Sequence, residues 1–267
     1  PTAKAYKNIK SVVKQHKLHT ICESGNCPNI GECWDEGTAT FMILGNICTR
    51  SCGFCNVQTG KPQPADINEP KRVAESIKLM KVKHAVITSV DRDDLKDGGS
   101  KIWAMTIKEI RRLNPTTTME ALIPDFKANS TQIQRIIDAA PEVVSHNIET
   151  VKRLTKKVRI QAKYERSLET LNILSNSGMR TKSGIMLGLG ENEKEVIETI
   201  QDLRNVGISI LTLGQYLQPT LKHLPVAEYI NPKQFQELKE IALQMGFKVI
   251  ESGPLVRSSY HAEKHLF

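Results

Sequence analysis

Short apolar runs alternate with longer amphipathic stretches along most of the chain. Their length and composition are those of buried strands, and they predict six strands at residues 40–44, 84–90, 117–123, 142–148, 181–187 and 208–213. Apolar residues recur at helical spacing between these strands, at residues 69–81, 100–113, 130–139, 166–177 and 191–206. A further helix at 232–245 and an apolar run at 247–250 form a candidate seventh unit. The alternation predicts an α/β fold with a parallel sheet.

Composition limits the class of protein further. The 267 residues are 39% hydrophobic and 25% charged, which excludes a disordered chain, and no apolar stretch approaches the length of a membrane span. The first residues lack the apolar core of a secretory signal, so we expect a cytoplasmic protein that neither spans nor crosses a membrane. The net charge is +8, but the basic residues are scattered and few aromatics lie among them. This pattern favours solvated helix faces, with some steering toward an acidic partner, over nucleic-acid binding.

The distribution of cysteines is the most informative feature. All six lie between Cys22 and Cys55, and none follows. A large chain that reads as cytoplasmic has little need of disulfides, so clustered thiols indicate ligation of a metal or an iron–sulfur cluster.

Polar residues follow several predicted strands at the sheet edge where α/β proteins carry their chemistry. The loop after the first strand contains Cys48, Cys52 and Cys55 in C-x3-C-x2-C spacing. Acidic residues crowd segment 91–99 after the second strand, and segment 188–191 after the fifth reads GLGE. Three thiolates hold three irons of a [4Fe–4S] cluster and leave the fourth open, whereas structural zinc sites use four ligands.

The loop resembles the cluster motif of radical S-adenosylmethionine (SAM) enzymes, including the aromatic Phe54 before the last cysteine. That resemblance implies that Cys48, Cys52 and Cys55 bind a [4Fe–4S] cluster. It also implies that SAM chelates the open iron and is cleaved to a deoxyadenosyl radical.

A second triplet, Cys22-x4-Cys27-x5-Cys33, precedes the first. Taken alone it fits either a zinc site or a plant-type iron–sulfur site. Together with the first triplet it resembles the lipoyl synthase family. The resemblance extends along the chain through CPNIGECW (27–34), TSVDRDDLKDGG (88–99), ALIPDF (121–126), HNIETV (146–151), MLGLGEN (186–192), LTLGQYLQPT (211–220) and SGPLVRSSYHAE (252–263).

The resemblance implies an α/β fold of the partial (β/α)6 barrel type with N- and C-terminal extensions. We expect an extension at 1–37 with the auxiliary cluster motif, a barrel at 38–251 and a tail at 252–267. In this family a serine of an Arg-Ser-Ser-Tyr motif is the fourth ligand of the auxiliary [4Fe–4S] cluster, which corresponds here to Ser259. Its oxygen is a harder ligand than a thiolate, so this bond is more readily released.

The implied reaction inserts sulfur at C6 and C8 of an octanoyl chain carried on a lysine, with the auxiliary cluster as sulfur donor. No acid–base side chain activates a mid-chain methylene, so cofactor radical chemistry is required. The implied partners are an octanoylated lipoyl carrier domain (the glycine cleavage H protein or a 2-oxoacid dehydrogenase E2), an electron donor such as ferredoxin or flavodoxin, and an iron–sulfur carrier. No nucleic-acid or membrane partner is implied.

Residues expected to contact SAM are Glu191, Asn147, Glu120 and Asp91, although loop carboxylates also cap helices. His84 and His146 lie in predicted strands and read as core residues. The alternatives are another two-cluster radical SAM enzyme, such as a maturase, and a non-catalytic iron–sulfur carrier or zinc module.

Overall fold

The computed structural model describes residues 19–20, 29–35 and 37–266. Contacts divide the chain into two compact units, each described by itself below. The first unit comprises residues 1–50, 57–143 and 261–267, and the second comprises residues 51–56 and 144–260. The three-part organisation predicted from the sequence stays a prediction.

The first unit contains a sheet in the order β1-β2-β5-β6, in which β2, β5 and β6 are parallel and β1 is antiparallel to β2. Its strands are β1 (His19–Thr20), β2 (Thr38–Ile43), β5 (His84–Ser89), β6 (Thr118–Leu122) and a separate parallel pair, β3 (Ile47–Cys48) and β4 (Gln58–Thr59). Its helices are α1 (Ile30–Asp35), α2 (Glu69–Met80), α3 (Ser100–Leu113) and α4 (Ser130–Ala139). Two 3-10 segments, Phe126–Ala128 and Ala262–His265, complete it.

The second unit contains four parallel strands in the order β7-β8-β9-β10. These are β7 (Val143–Ser145, whose first residue belongs to the first unit), β8 (Thr181–Leu187), β9 (Ile210–Gln215) and β10 (Val249–Gly253). Its helices are α5 (Lys152–Val158), α6 (Tyr164–Asn176), α7 (Glu193–Asn205) and α8 (Pro232–Gln244).

Local sequence explains why these elements form. Every residue of β2 and β9 is buried, as expected for parallel strands covered on both faces. Helix α7 begins with a capping box, in which Asn192 accepts from the Glu195 N–H and Glu195 accepts from the Asn192 N–H. Pro70 in the first turn of α2 fits a position where the missing N–H costs nothing.

Each of the six predicted strands overlaps an observed strand, and the candidate seventh unit is α8 with β10. The strand predicted at 142–148 is shorter, because the Ile148 N–H donates to the Ser183 hydroxyl rather than to a ladder carbonyl. Glu149 then has a φ of 69° and returns to the sheet as a single bridge to Ile185. Helix α5 follows this irregular stretch and was not predicted.

Two of the sequence expectations concern burial and membranes. His84 and His146 are 1% and 2% exposed, which confirms that they are core residues. Within the described ranges, no helix has the length and apolarity needed to cross a bilayer.

Candidate functional site

The first cysteine triplet lies in one loop, whose residues are divided between the two units. Cys48 ends β3 in the first unit, while Cys52 and Cys55 lie in the second. The three thiols are half-buried and none is in a disulfide. Across the described part of the chain, no three His, Cys, Asp or Glu side chains are arranged as ligands of a single metal ion. Three unoxidised thiols in one loop are nevertheless the donor set that an iron–sulfur cluster requires.

The Cys48 thiol has polar neighbours within the first unit. Its Sγ accepts the Arg50 N–H at 3.4 Å and the Asp91 N–H at 3.3 Å. An Asp91 carboxylate oxygen lies 3.9 Å from the same sulfur. Burial, and then the charge of Asp91, raise the pKa of the Cys48 thiol, while the two N–H donors act in the opposite direction. N–H donors of this kind stabilise a thiolate ligand.

Arg50 binds three carboxylates at the ends of neighbouring strands. Its guanidinium donates to both oxygens of Asp93, at 2.7 and 3.0 Å, and to Asp125 at 2.7 Å. Asp91 lies 3.3 Å from its third nitrogen. The Arg50 side chain is 3% exposed and that of Asp125 is 0% exposed. Arg50 therefore fastens the cysteine loop to the segments that follow β5 and β6.

These contacts shift pKa values in opposite directions. Burial alone lowers the pKa of Arg50, but hydrogen bonds with Asp93 and Asp125 outweigh it and hold that pKa above its ordinary value. The hydrogen bond from Arg50 holds the pKa of Asp93 below its ordinary 3.8. The guanidinium and the Asp93 carboxylate therefore both stay charged at neutral pH.

A left-handed turn follows Asp125. Phe126, Lys127 and Ala128 have φ values of 42°, 54° and 56°, a conformation that costs L-residues on the order of 1–2 kcal/mol each. Asp125 Oδ1 accepts the Lys127 N–H at 3.0 Å, and the Lys127 ammonium lies 3.3 Å from Asp93. Asp125 thus stabilises the turn and anchors Arg50 through the same oxygen.

In the second unit, Gly53 fastens the other half of the cysteine loop. Its N–H donates to the Val158 carbonyl and its carbonyl accepts the Leu224 N–H, both at 2.9 Å. A Cβ at Gly53 would lie 2.9 Å from two atoms of the Leu224 side chain, so a larger residue does not fit. The His223 ring lies 3.1 Å from the Cys55 carbonyl, and Gln161 bonds both the N–H and the hydroxyl of Ser51.

Of the four predicted SAM contacts, Asp91 lies beside Cys48 as described, and Asn147 has spare hydrogen-bonding capacity. Asn147 Oδ1 is buried, and no residue that the structure describes bonds it. Gly184 leaves it room, because a Cβ there would lie 3.0 Å from that oxygen. A buried amide oxygen without a partner is costly, so it is suited to a donor on a bound ligand.

The other two predicted contacts have partners within the protein. Glu191 accepts the N–H groups of Gly188 and Leu189, so it closes the loop after β8, whereas Asn192 is the residue that caps α7. Glu120 is fully buried on β6, and its carboxylate lies 4.0 Å from the fully buried His265 ring. Contact of any of these residues with SAM stays a prediction.

Two of the expected auxiliary-cluster ligands, Cys22 and Cys27, lie outside the described residues. Cys33 is on α1 and half-buried, and its N–H donates to the Asn29 carbonyl at 3.1 Å. Ser259 is half-buried in a turn closed by a hydrogen bond of 2.9 Å from the Tyr260 N–H to the Arg257 carbonyl.

Replacing Arg50 with Met is expected to lower the free energy of unfolding by about 3–5 kcal/mol, because Asp125 stays a buried charge and loses the guanidinium that neutralises it. Since Arg50 lowers the pKa of Asp93, the contribution of this pair is present at neutral pH and is lost only as the pH falls through that lowered value. Urea unfolding of the reduced, metal-free protein at pH 7 measures the change.

Arg153→Met is the matched control, because Arg153 makes a similar pair with Glu195 but its side chain is 56% exposed. Solvent screens that pair, so we expect little change. Little change in Arg50→Met as well would show that the buried network does not stabilise the protein.

Comparison with known proteins identifies the relatives of this chain. A family model described as "Radical SAM superfamily" matches residues 42–203. "Lipoyl synthase, mitochondrial" of Nematostella vectensis is 66% identical, with 100% of this chain and 92% of the relative covered. "Lipoyl synthase" of Christiangramia forsetii is 64% identical, with 100% and 91% covered. The crystal structure of methylornithine synthase shares the fold, with a TM-score of 0.60, 11% identity, and 94% of this chain and 79% of that chain covered.

Proposed function

Because this chain belongs to the lipoyl synthase family of the radical SAM superfamily, we propose that it inserts two sulfur atoms into an octanoyl group held on a lysine. The sulfur enters at C6 and C8 and gives the lipoyl group. The α/β fold is the partial (β/α)6 barrel of that superfamily, as the sequence predicts. The substrate is an octanoylated carrier protein.

The finer partners and the location belong to the same proposal. The carrier is the glycine cleavage H protein or a 2-oxoacid dehydrogenase E2 domain. A ferredoxin or flavodoxin donates the electrons, an iron–sulfur carrier supplies the clusters, and the protein acts in the cytoplasm.

Cys48, Cys52 and Cys55 are the residues that would hold the [4Fe–4S] cluster to which SAM binds. When bound, the cluster and SAM together supply the radical chemistry that an unactivated methylene requires. The protein positions the reacting groups and excludes water. Arg50 and Gly53 hold the two halves of the cysteine loop, and Asn147 offers its amide oxygen to a donor on SAM. Phe54, which lies between Cys52 and Cys55, packs against the apolar core of the second unit.

Cys22, Cys27, Cys33 and Ser259 are the residues that would hold the auxiliary cluster. The observation that supports this set is a contact beside two of them. His261 Nε2 lies 4.0 Å from Glu32 Oε1; Glu32 precedes Cys33 in the chain, and His261 is two residues after Ser259. A cysteine and a serine far apart in sequence therefore have neighbours that meet within the first unit. This proximity supports joint ligation of one cluster.

We expect Ser259→Ala to lower sulfur insertion by about tenfold or more, because positioning of reacting groups has effects of this size. Quantified lipoyl product measures the effect. Both clusters are expected to assemble from their cysteines, but Mössbauer spectra should lose the signature of one oxygen-ligated iron. Ser258→Ala is the matched control, since Ser258 is in the same turn and is also half-buried. Normal product and unchanged spectra for Ser259→Ala would show that this serine is structural.

Single-turnover mass spectrometry tests the function itself. The reconstituted protein, carrying heavy-isotope sulfide in its clusters, is mixed with an octanoylated carrier domain, SAM and a strong reductant. The lipoyl product is expected to contain the heavy label, with about one product per chain when the clusters are not rebuilt. Lipoyl product without the label would contradict the auxiliary cluster as donor, and the absence of any thiolated product would contradict the function.

A further inference from the structure

Two surface segments of the second unit flank the cysteine loop. Segment 152–163 contains α5 and the residues after it, and segment 217–224 follows β9. Gly53 bonds the first segment at Val158 through its N–H and the second at Leu224 through its carbonyl. Both segments lie beyond the carboxyl ends of parallel strands, the face where such folds bind substrates. We call these two segments together the basic rim.

The basic rim has an unusual charge. Segment 152–163 has six basic residues and no acidic residue, and segment 217–224 adds Lys222, again with no acidic residue. Lys152 and Arg153 form ion pairs with neighbouring helices. Arg159 is buried. The remaining lysines are exposed and form no ion pair with any residue that the structure describes; they are Lys156, Lys157, Lys163 and Lys222.

The two segments of the basic rim also contain exposed large apolar side chains. Ile160 is 60% exposed, Leu221 is 97% exposed, and Leu217 is 41% exposed. Exposed apolar side chains that are rimmed by polar residues mark protein-binding surfaces. The partner they suit is acidic and also presents apolar groups.

We infer that the basic rim docks the octanoylated carrier domain through an acidic face around its octanoyl-lysine, an inference that rests on the proposed function. The acyl chain has to reach the cysteine loop, and both segments of the rim hydrogen-bond Gly53 of that loop. An acidic electron donor also suits the lysines, but contacts of that class are small. The three exposed apolar side chains fit the acyl-bearing partner better.

The test uses Lys156→Glu/Lys163→Glu, with Lys101→Glu/Lys108→Glu as the control. All four lysines are exposed, and the two double substitutions change the net charge equally. In each pair one lysine lies at or near the start of a helix: Lys163 in the rim pair and Lys101 in the control pair. The probe is octanoylated glycine cleavage H protein, compared with a short octanoyl-lysine peptide. The ratio of kcat/KM for the carrier to kcat/KM for the peptide is expected to fall by about tenfold or more in the rim variant, with a weaker salt dependence. The control is expected to keep the wild-type ratio.

Leu221→Ser provides a second variant, because so exposed a side chain contributes nothing to folding. The ratio of kcat/KM for the carrier to kcat/KM for the peptide is expected to fall by about threefold or more in this variant. An unchanged ratio in both rim variants, or an equal fall in the control, would overturn the inference. Carrier binding that persists while reduction by flavodoxin slows would assign the rim to the electron donor instead. Wild-type protein that binds the carrier but thiolates neither substrate would refute the proposed function and leave the docking result standing.

Discussion

Cys52→Ala is expected to abolish both deoxyadenosine formation and lipoyl product, each falling by at least about 10³-fold because the cofactor supplies the chemistry. Cys52 is a half-buried thiol in the C-x3-C-x2-C loop, two residues after Arg50. Reconstituted wild type is expected to hold about eight iron and eight sulfide per chain, and the variant about half of each. Chromatography of the quenched reaction measures both products.

Ser51 supplies the control for this variant. Ser51→Ala removes a hydroxyl that accepts a hydrogen bond from Gln161 and lies next to Cys52 in the chain. Ser51 is not one of the three cysteines that would bind the cluster. Iron content and deoxyadenosine formation should therefore stay near those of wild type. Deoxyadenosine formation that persists in Cys52→Ala would contradict the assignment of the loop. About one zinc per wild-type chain, without the visible absorption of iron–sulfur clusters, would support a zinc module.

Cys33→Ala is expected to separate the two steps that Cys52→Ala abolishes together. Lipoyl product should fall by at least about 10³-fold, whereas SAM cleavage should continue, because the first triplet and its cofactor are untouched. Helix α1 carries Cys33 in the first unit, apart in sequence from the loop. Deoxyadenosine without thiolated product is therefore the expected signature.

The opposing explanation is that the auxiliary cluster only fastens the N-terminal extension, since metals frequently contribute folding free energy. Added sulfide would then restore insertion in Cys33→Ala, provided the variant remains folded by circular dichroism. Restored insertion would contradict the donor role. Loss of SAM cleavage in a folded Cys33→Ala would contradict the division of labour between the triplets.

Periodicity predicted six strands and most of the helices, but it missed the short elements β1, β3, β4, α1 and α5. The run at 208–213 is rich in Ile and Leu, and every residue of β9 is buried, so the apolar composition reports that burial directly. The departures occur where side chains replace backbone partners. Ser183 takes the Ile148 N–H, and no periodic pattern encodes such a bond. Helix α5 was missed because its seven residues are mostly basic and give little amphipathic signal.

In the candidate site, too, local sequence patterns were predictable from the sequence and tertiary contacts were not. Cysteine spacing identified the candidate ligands because ligation depends on local sequence. The partners of Arg50 were not predictable, since Asp93 and Asp125 reach it only through the tertiary fold. The one hint of these contacts in the sequence was a charged residue, Arg50, between Cys48 and Cys52. Gly53 gave a similar hint, but its need for a glycine comes from Leu224, which lies far along the chain.

The anchoring of the cysteine loop has a consequence for cofactor assembly. Arg50 and Gly53 hold the loop through hydrogen bonds to protein groups, so folding itself restricts the conformational freedom of the loop. Small zinc domains, in contrast, order their chain with the free energy of metal binding. A preorganised loop leaves that free energy to the affinity for the incoming cluster. The free energy of folding therefore orders the loop that carries this triplet, so cluster binding does not have to supply all of that ordering.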